Sequence, residues 1–372
     1  MPSQSDVAKL ANVSFMTVSR VINGKGNVKE DTRIKVLKAI EELGYYPNAA
    51  ARALNNNKTD GIGIIIPYAE FMTAAPYFLD LITSLEKNID EMGYHLIFKF
   101  PSSIKSAADY SNLYMERKVD GLIVLAPSVD QWLLKRLTKD NVPSVVVYGR
   151  DDELDINYVD ADNYNGIKKI VNYLLSLGHT HIGMLTGSTT LICGRDRISG
   201  YVDALKENKM QLDRQLIYYG NWEPESGIKA FNYFFNLKTP PTAIIASNDH
   251  MALGVMKEAE RNGLKIPRDL SITGYNDILY SQYLTPSLTT MRQPLEKIGK
   301  LAVKLLIEAI ENPDKPKEHI MMDTEFIIRE SCAAPRKELN LKLKPLDPLE
   351  QPNLRVGIVY PHPEFGKSNK NI

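Results

Sequence analysis

The chain has 372 residues, 44% hydrophobic and 24% charged, with 45 Lys and Arg balancing 45 Asp and Glu. No run approaches the roughly 18 apolar residues of a membrane span, and the composition excludes a disordered chain, so a soluble protein of two or three domains is expected. Two cysteines, Cys193 and Cys332, exclude a disulfide framework and fit a reducing cytoplasm. The charge is unevenly spread: residues 1–58 hold nine Lys or Arg against five Asp or Glu, and the remainder holds 36 against 40. A basic end on an acidic body points toward nucleic acid. The opening MPSQSDVAKLANVS has neither a basic n-region nor an apolar h-region, so no export signal is expected.

Ser3 with Asp6 reads as a near capping box, opening a helix whose apolar face is Val7, Ala8, Leu10 and Ala11. Asn12 suits a left-handed turn, and Ser14 can cap a second helix from Phe15 to about Asn23 with Val18, Val21 and Ile22 inward. A third helix is predicted from Glu30 to Leu43, with Ile34, Leu37 and Ile40 inward and Gly44 as its stop. Two short helices joined by a tight turn, with a third in support, form the helix-turn-helix arrangement, whose second helix enters the DNA major groove. Residues 1–47 are assigned to this unit.

The segment NAAARALNNNK, from Asn48, has high helix propensity but is too short and polar to be stable alone. Residues 48–60 read as a hinge and linker. From Gly61 the pattern changes to apolar runs: GIGIII, HLIFKF, GLIVLA, SVVVYG, HIGMLTG, LIYYG, TAIIAS and LSITGYN. Between them lie helix-length amphipathic stretches such as 75–92, 107–118, 165–177 and 249–262. Alternating strands and helices predict parallel sheets covered by helices on both faces. About 270 residues is too many for one such sheet, so two lobes are expected. The six histidines lack zinc-ligand spacing with the cysteines, and His179 and His181 are assigned structural or surface roles. No phosphate loop, nucleophile elbow or metal set is present, so neither enzymatic activity nor a cofactor is expected.

The run SDVAKLANVSFMTVSRVINGKGNVKEDTRIKVLKAIEELGYYPNAAARAL closely resembles the headpiece of LacI-type regulators. The motifs VDGLIV, LGHTHIGMLTG, GRDRISGY, SNDHMALG and GYND extend the resemblance to nearly all of residues 1–333. It implies a small all-α helix-turn-helix domain followed by a two-lobed α/β core like the periplasmic sugar-binding proteins. It places that core at 61–335, with an N-lobe of about 61–160 and 291–322 and a C-lobe of about 161–290 and 323–335. It further implies a cytoplasmic homodimer on a palindromic operator, with a small-molecule effector, expected to be a carbohydrate, in the inter-lobe cleft. Phe15 and Met16 hold the positions that the family uses to read bases. Met16 lacks a hydrogen-bonding group, so contact with a thymine methyl is expected. Arg20 suits the guanine edge. Thr17, Ser19, Asn23 and Thr32 can meet phosphates, with simple capping or solvation as the alternative for Ser19 and Thr32. Asn48, Ala51 and Leu54 belong to the implied hinge helix, with Leu54 wedging into the minor groove; packing on the body is the alternative for Leu54.

For the effector, the resemblance assigns Arg197, whose fork can bond two vicinal oxygens. Asn248, Asn276, Trp222, Phe78 and Tyr148 complete the expected set, with ordinary core packing the alternative for Trp222 and Phe78. Where relatives that bind neutral sugars carry carboxylates, this chain has Tyr148 and Asn276, so an acidic ligand such as a sugar phosphate, or a larger glycoside, stays open. The alternative within the same fold is a catabolite-control regulator answering to a phosphorylated phosphocarrier protein. Residues 336–372 are rich in proline and read as a tail, although LRVGIVYPHP resembles the first sensor strand and could begin a further domain.

Overall fold

The computed structural model describes residues 2–22, 26–46, 58–67, 77–99, 110–127, 132–151 and 153–336. The positions Asn23, Asn48, Ala51 and Leu54, most of the 48–60 segment, and the tail from 337 lie outside these residues.

The headpiece consists of α1 (Gln4–Leu10), α2 (Phe15–Ile22) and α3 (Glu30–Leu43). Ser3 Oγ accepts from the Asp6 amide at 3.3 Å while the Ser3 amide donates to Asp6 Oδ2 at 2.9 Å, so two otherwise orphaned donors are satisfied reciprocally. Asn12 turns the chain at φ 53°, Ser14 Oγ accepts from the Thr17 amide at 3.1 Å, and Gly44 ends α3 at φ 56°. The core is Val7, Ala8, Ala11, Val18, Val21, Val36 and Ala39. Here one expectation fails: Leu10, Ile34 and Leu37 are 45–52% exposed. Helix α3 instead turns Val36 and Ala39 inward with Ile40 and Leu43 beside them. That stripe has helical spacing too, and its small members let three short helices approach closely.

The body holds two parallel sheets, in agreement with the predicted class. The first runs β11-β5-β4-β3-β1-β2, built from β1 (Gly61–Ile65), β2 (His95–Lys99), β3 (Gly121–Leu125), β4 (Ser144–Val147), β5 (Asn157–Ala161) and β11 (His319–Met322). The second runs β7-β6-β8-β9, from β6 (Ile182–Thr186), β7 (Ile217–Tyr219), β8 (Ala243–Ala246) and β9 (Ser271–Thr273). Neighbours in both sheets pair in parallel. Because both faces are covered, the strands are continuous apolar runs, which is why eight of them were legible. On the first sheet, α4 (Tyr77–Glu91) and α11 (Leu295–Glu311) pack one face, and α5 (Ser111–Met115) and α6 (Trp132–Lys139) the other. On the second, α7 (Asn163–Ser176) and α8 (Ile192–Glu207) face α9 (Pro224–Phe235) and α10 (Asp249–Arg261) across the sheet.

The chain passes between the lobes from β5 into α7, from β9 to α11, and from β11 to β12 (Glu325–Ile327). β12 pairs antiparallel with β10 (Thr290–Arg292), so two of the three crossings are stitched into one short ribbon. His179 is buried and tied to Thr242, Ser271 and the Ala333 carbonyl, fastening the end of the core.

Where the sensor begins, Asp120 grips the incoming chain. Its carboxylate accepts from the Thr59 amide (2.8 Å), the Thr59 hydroxyl (2.9 Å) and the Asp60 amide (2.9 Å). Charge-assisted bonds to backbone amides are the stronger kind, each contributing roughly 1.5–3 kcal/mol. Asp120→Ala is expected to cost about 2 kcal/mol or more in denaturant unfolding, and limited proteolysis should then cut faster around residues 58–60.

Candidate effector cleft and DNA-reading surface

In a parallel sheet, the loops that leave the carboxyl ends of the strands gather at one edge. Here those ends deliver Tyr148 and Arg150 after β4, Asp160 in β5, Gly187 after β6, Ser247 and Asn248 after β8, and Tyr275 and Asn276 after β9. Arg197 projects from α8 into their midst and is only 2% exposed. Its Nε donates to Asn163 Oδ1 at 2.9 Å and its Nη1 donates to the Ser247 carbonyl. Its guanidinium lies 3.7 Å from the centre of the Tyr275 ring and 5.5 Å from that of Trp222. Stacking on two aromatic faces suits a weakly hydrated planar cation that cannot shed its charge.

Trp222 reaches this position because residue 187 is glycine: a Cβ there would stand 2.1 Å from the indole ring. Trp222 belongs to the C-lobe core and is 6% exposed, as the packing alternative has it, and its ring also faces Arg197. Its Nε1 is buried without a hydrogen-bond acceptor, as is Gln293 Oε1 without a donor. Asn248 is engaged at both ends: its Oδ1 caps α10 at the Met251 amide and its Nδ2 donates to the Trp222 carbonyl, each at 2.8 Å. Asn276 Oδ1 accepts from Gln293 Nε2 at 2.7 Å, and both line a cavity of about 550 Å³ formed with α4 and the start of α11, whose lining does not include Arg197 or Trp222. Phe78 and Tyr148 meet edge to face, centroids 6.1 Å apart, inside the N-lobe core. Tyr148, Trp222 and Asn276 all have positive φ (59°, 76° and 107°), a costly backbone state for side chains that collects at ligand sites.

Sequence reasoning missed Asn163, Tyr275 and Gln293, and it missed a cross-lobe ion cluster. Arg150 donates through Nη1 and Nη2 to Asp196 Oδ2 and Oδ1, both at 2.7 Å, joining the loop after β4 to helix α8 of the other lobe. Asp160 lies behind this pair: its Oδ1 accepts from the Ala161 amide, while its Oδ2, 3.6 Å from Arg150, has no hydrogen bond. Burial, and then the Asp196 carboxylate, push Asp160 up to about 7. Burial likewise pushes the Cys193 thiol to about 11, which leaves it inert as a nucleophile.

At the other end of the chain, Phe15 and Met16 are 53% and 60% exposed on the first turn of α2. Adjacent large apolar groups on a small domain's surface mark a contact face. Arg20 is exposed on the same helix with its stem over Gly26, where a Cβ would lie 3.6 Å from Arg20 Cδ. Thr17 Oγ1 shares a hydrogen bond with Ser14 Oγ at 2.8 Å, Ser19 is half-buried, and Thr32 is half-buried in the first turn of α3.

Residues 4–48 match the model of bacterial regulatory proteins of the lacI family, and residues 171–332 match the periplasmic binding protein-like domain. The probable transcriptional repressor ExuR of Bacillus subtilis is 32% identical over 332 residues, covering 89% of this chain and 98% of that protein. The chain belongs to the lacI family. Its relatives are helix-turn-helix transcriptional repressors and not enzymes. The lac repressor dimer bound to operator and an anti-inducer matches with a TM-score of 0.80 and 27% identity, over 90% of this chain and 99% of that one. The regulator CelR in complex with cellobiose matches at 0.69 and 28%, over 89% and 100%.

In this lacI-family chain the carboxylates of the cleft stand at positions 160 and 196, not at 148 and 276. Nothing in the spacing of Arg150, Asp160 and Asp196 announces their meeting; the topology alone creates it. The elevated Asp160 sets a pH signature. Its folded value of about 7 exceeds the unfolded value of roughly 4, so its contribution to stability is fully present below about pH 4 and is lost as pH rises to about 7. Asp160→Asn, which can keep the 2.7 Å bond from the Ala161 amide, should gain stability relative to the parent between about pH 4 and 7 and hold a constant difference above that. Denaturant midpoints measured across this range test it.

Proposed function

We propose that this protein is a homodimeric repressor that binds a palindromic operator through α2 and answers to a sugar or sugar-derived effector in the inter-lobe cleft. The observation that carries the reading is Arg197: a buried, aromatic-stacked guanidinium amid strand ends from the second lobe, with an unfilled polar atom on Trp222 beside it. A polyhydroxylated ligand satisfies such an atom, and burying a donor or acceptor unpaired costs about 1–3 kcal/mol each. The cellobiose-bound regulator among the structural neighbours supports a carbohydrate, and the operator-bound repressor dimer supports two-fold DNA binding.

A dimer has a ready surface. Leu279, Tyr280 and Tyr283, on and beside the 3-10 turn Leu279–Gln282, are 64–73% exposed. Two-fold pairing gives matched headpieces on two half-sites. On each half-site Phe15 and Met16 meet base edges and Arg20 a guanine, while Thr17, Ser19, Asn23 and Thr32 reach phosphates. Asn48, Ala51 and Leu54 engage the minor groove between the half-sites. A repressor of this kind works on DNA in the cytoplasm.

Two measurements test this function. A thermal-shift screen of sugars and sugar phosphates should find a ligand that stabilises the parent and fails to stabilise Arg197→Ala; silence from every compound would return the phosphocarrier-protein alternative. Met16→Gln should change base preference at one operator position, read by binding to a randomised operator library, whereas an unchanged preference removes Met16 from base reading.

A further inference from the structure

The Arg150–Asp196 pair has an unusual position for a surface ion pair. It is bidentate, with both contacts at 2.7 Å, and it joins two lobes that must move relative to each other for a ligand to enter. Its side chains are 24% and 13% exposed, so the pair is shielded more than an ordinary surface bridge. The Asp196 carboxylate fills the guanidinium fork in the geometry with which arginine recognises any carboxylate or phosphate. The protein thus supplies its own anion to a site that can receive one from outside.

Three further observations favour an outside anion. The cleft lacks a carboxylate at positions 148 and 276, where one would accept hydroxyl protons from a neutral sugar. Arg197 is a permanent cation whose hydrogen-bond partners among the described residues are the neutral oxygens of Asn163 and Ser247. Asp160 stands 3.6 Å from Arg150, beyond hydrogen-bond reach, with its Oδ2 unbonded and buried, so it does not take the place of Asp196 in the guanidinium fork. Asp196 moves off with α8 and gains water on opening.

We infer that the effector is an anionic sugar derivative whose carboxylate or phosphate takes Arg150 from Asp196, exchanging the cross-lobe ion pair for a ligand contact. The inference rests on the placement of the effector in this cleft and deepens it by naming the ligand class and the group it displaces. Neutral sugars have no charge with which to compete for the fork, and they leave the lobes joined.

Isothermal titration with glucuronate, gluconate, glucose 6-phosphate and glucose tests the exchange on the full-length protein. At least one of the three anions should bind the parent protein, while glucose should not bind. Asp196→Asn, nearly isosteric, removes the internal competitor and should tighten binding of that anion by about tenfold. Arg150→Gln should abolish it. In the absence of ligand, small-angle scattering should show a larger radius of gyration for Asp196→Asn than for the parent. Glucose binding as tightly as the anions, or Asp196→Asn weakening the anion, overturns the inference. Failure of the cleft placement looks different: a ligand then binds equally well to Arg197→Ala, whereas a neutral sugar that needs Arg197 refutes only the anionic class.

Discussion

A guanidinium that cannot lose its proton, removed from water, constrains everything around it. Arg197 must find acceptors and aromatic faces or the fold does not close, and the site is the solution to that requirement. Asn163 comes from the first crossing between lobes, Ser247 from the end of β8, and Tyr275 from the end of β9. Trp222 comes from the loop after β7 and needs glycine at 187 to fit. Four separated stretches of chain therefore converge on one charge. The same convergence leaves the Trp222 indole N–H without an acceptor in the protein.

The legible parts of the fold were those fixed by local chemistry. The Ser3–Asp6 box, the left-handed Asn12 and the Gly44 stop depend on residues a few positions apart, and the structure has each of them. The register of α3 was not local. Ile34–Leu37–Ile40 and Val36–Ala39–Ile40–Leu43 both satisfy a helical period, and the choice belongs to α1 and α2, which accept the smaller stripe. Strands β5, β10, β11 and β12 were also missed. TMR, HIMM and EFI mix polar and apolar residues because β10, β11 and β12 sit at crossings or a sheet edge, whereas NYVDA is fully buried but carries Asn157 and Asp160 where the chain prepares to cross.

The site divides along the same line. Arg197 was visible within GRDRISGY because the motif itself carries it. Arg150 and Asp196, 46 residues apart, have no motif relating them, and only the meeting of the two lobes brings the loop after β4 against α8. Phe78 and Tyr148 had the right residue types for a sugar platform, and their rings meet each other edge to face in the N-lobe core. Residue type suggests what a side chain is able to do; only the topology decides what it meets.

The Asp120 grip on Thr59 and Asp60 has a mechanical meaning. With the chain held at Thr59 and Asp60 immediately before β1, those residues are keyed to the N-lobe like a shaft to its wheel. A tilt of the lobe by a few degrees is then not absorbed by slack at the joint but carried outward, and its displacement grows with distance from the pivot. In a two-fold pair the two shafts swing in opposite senses, so small rotations within the sensors become a change in the separation of two exits.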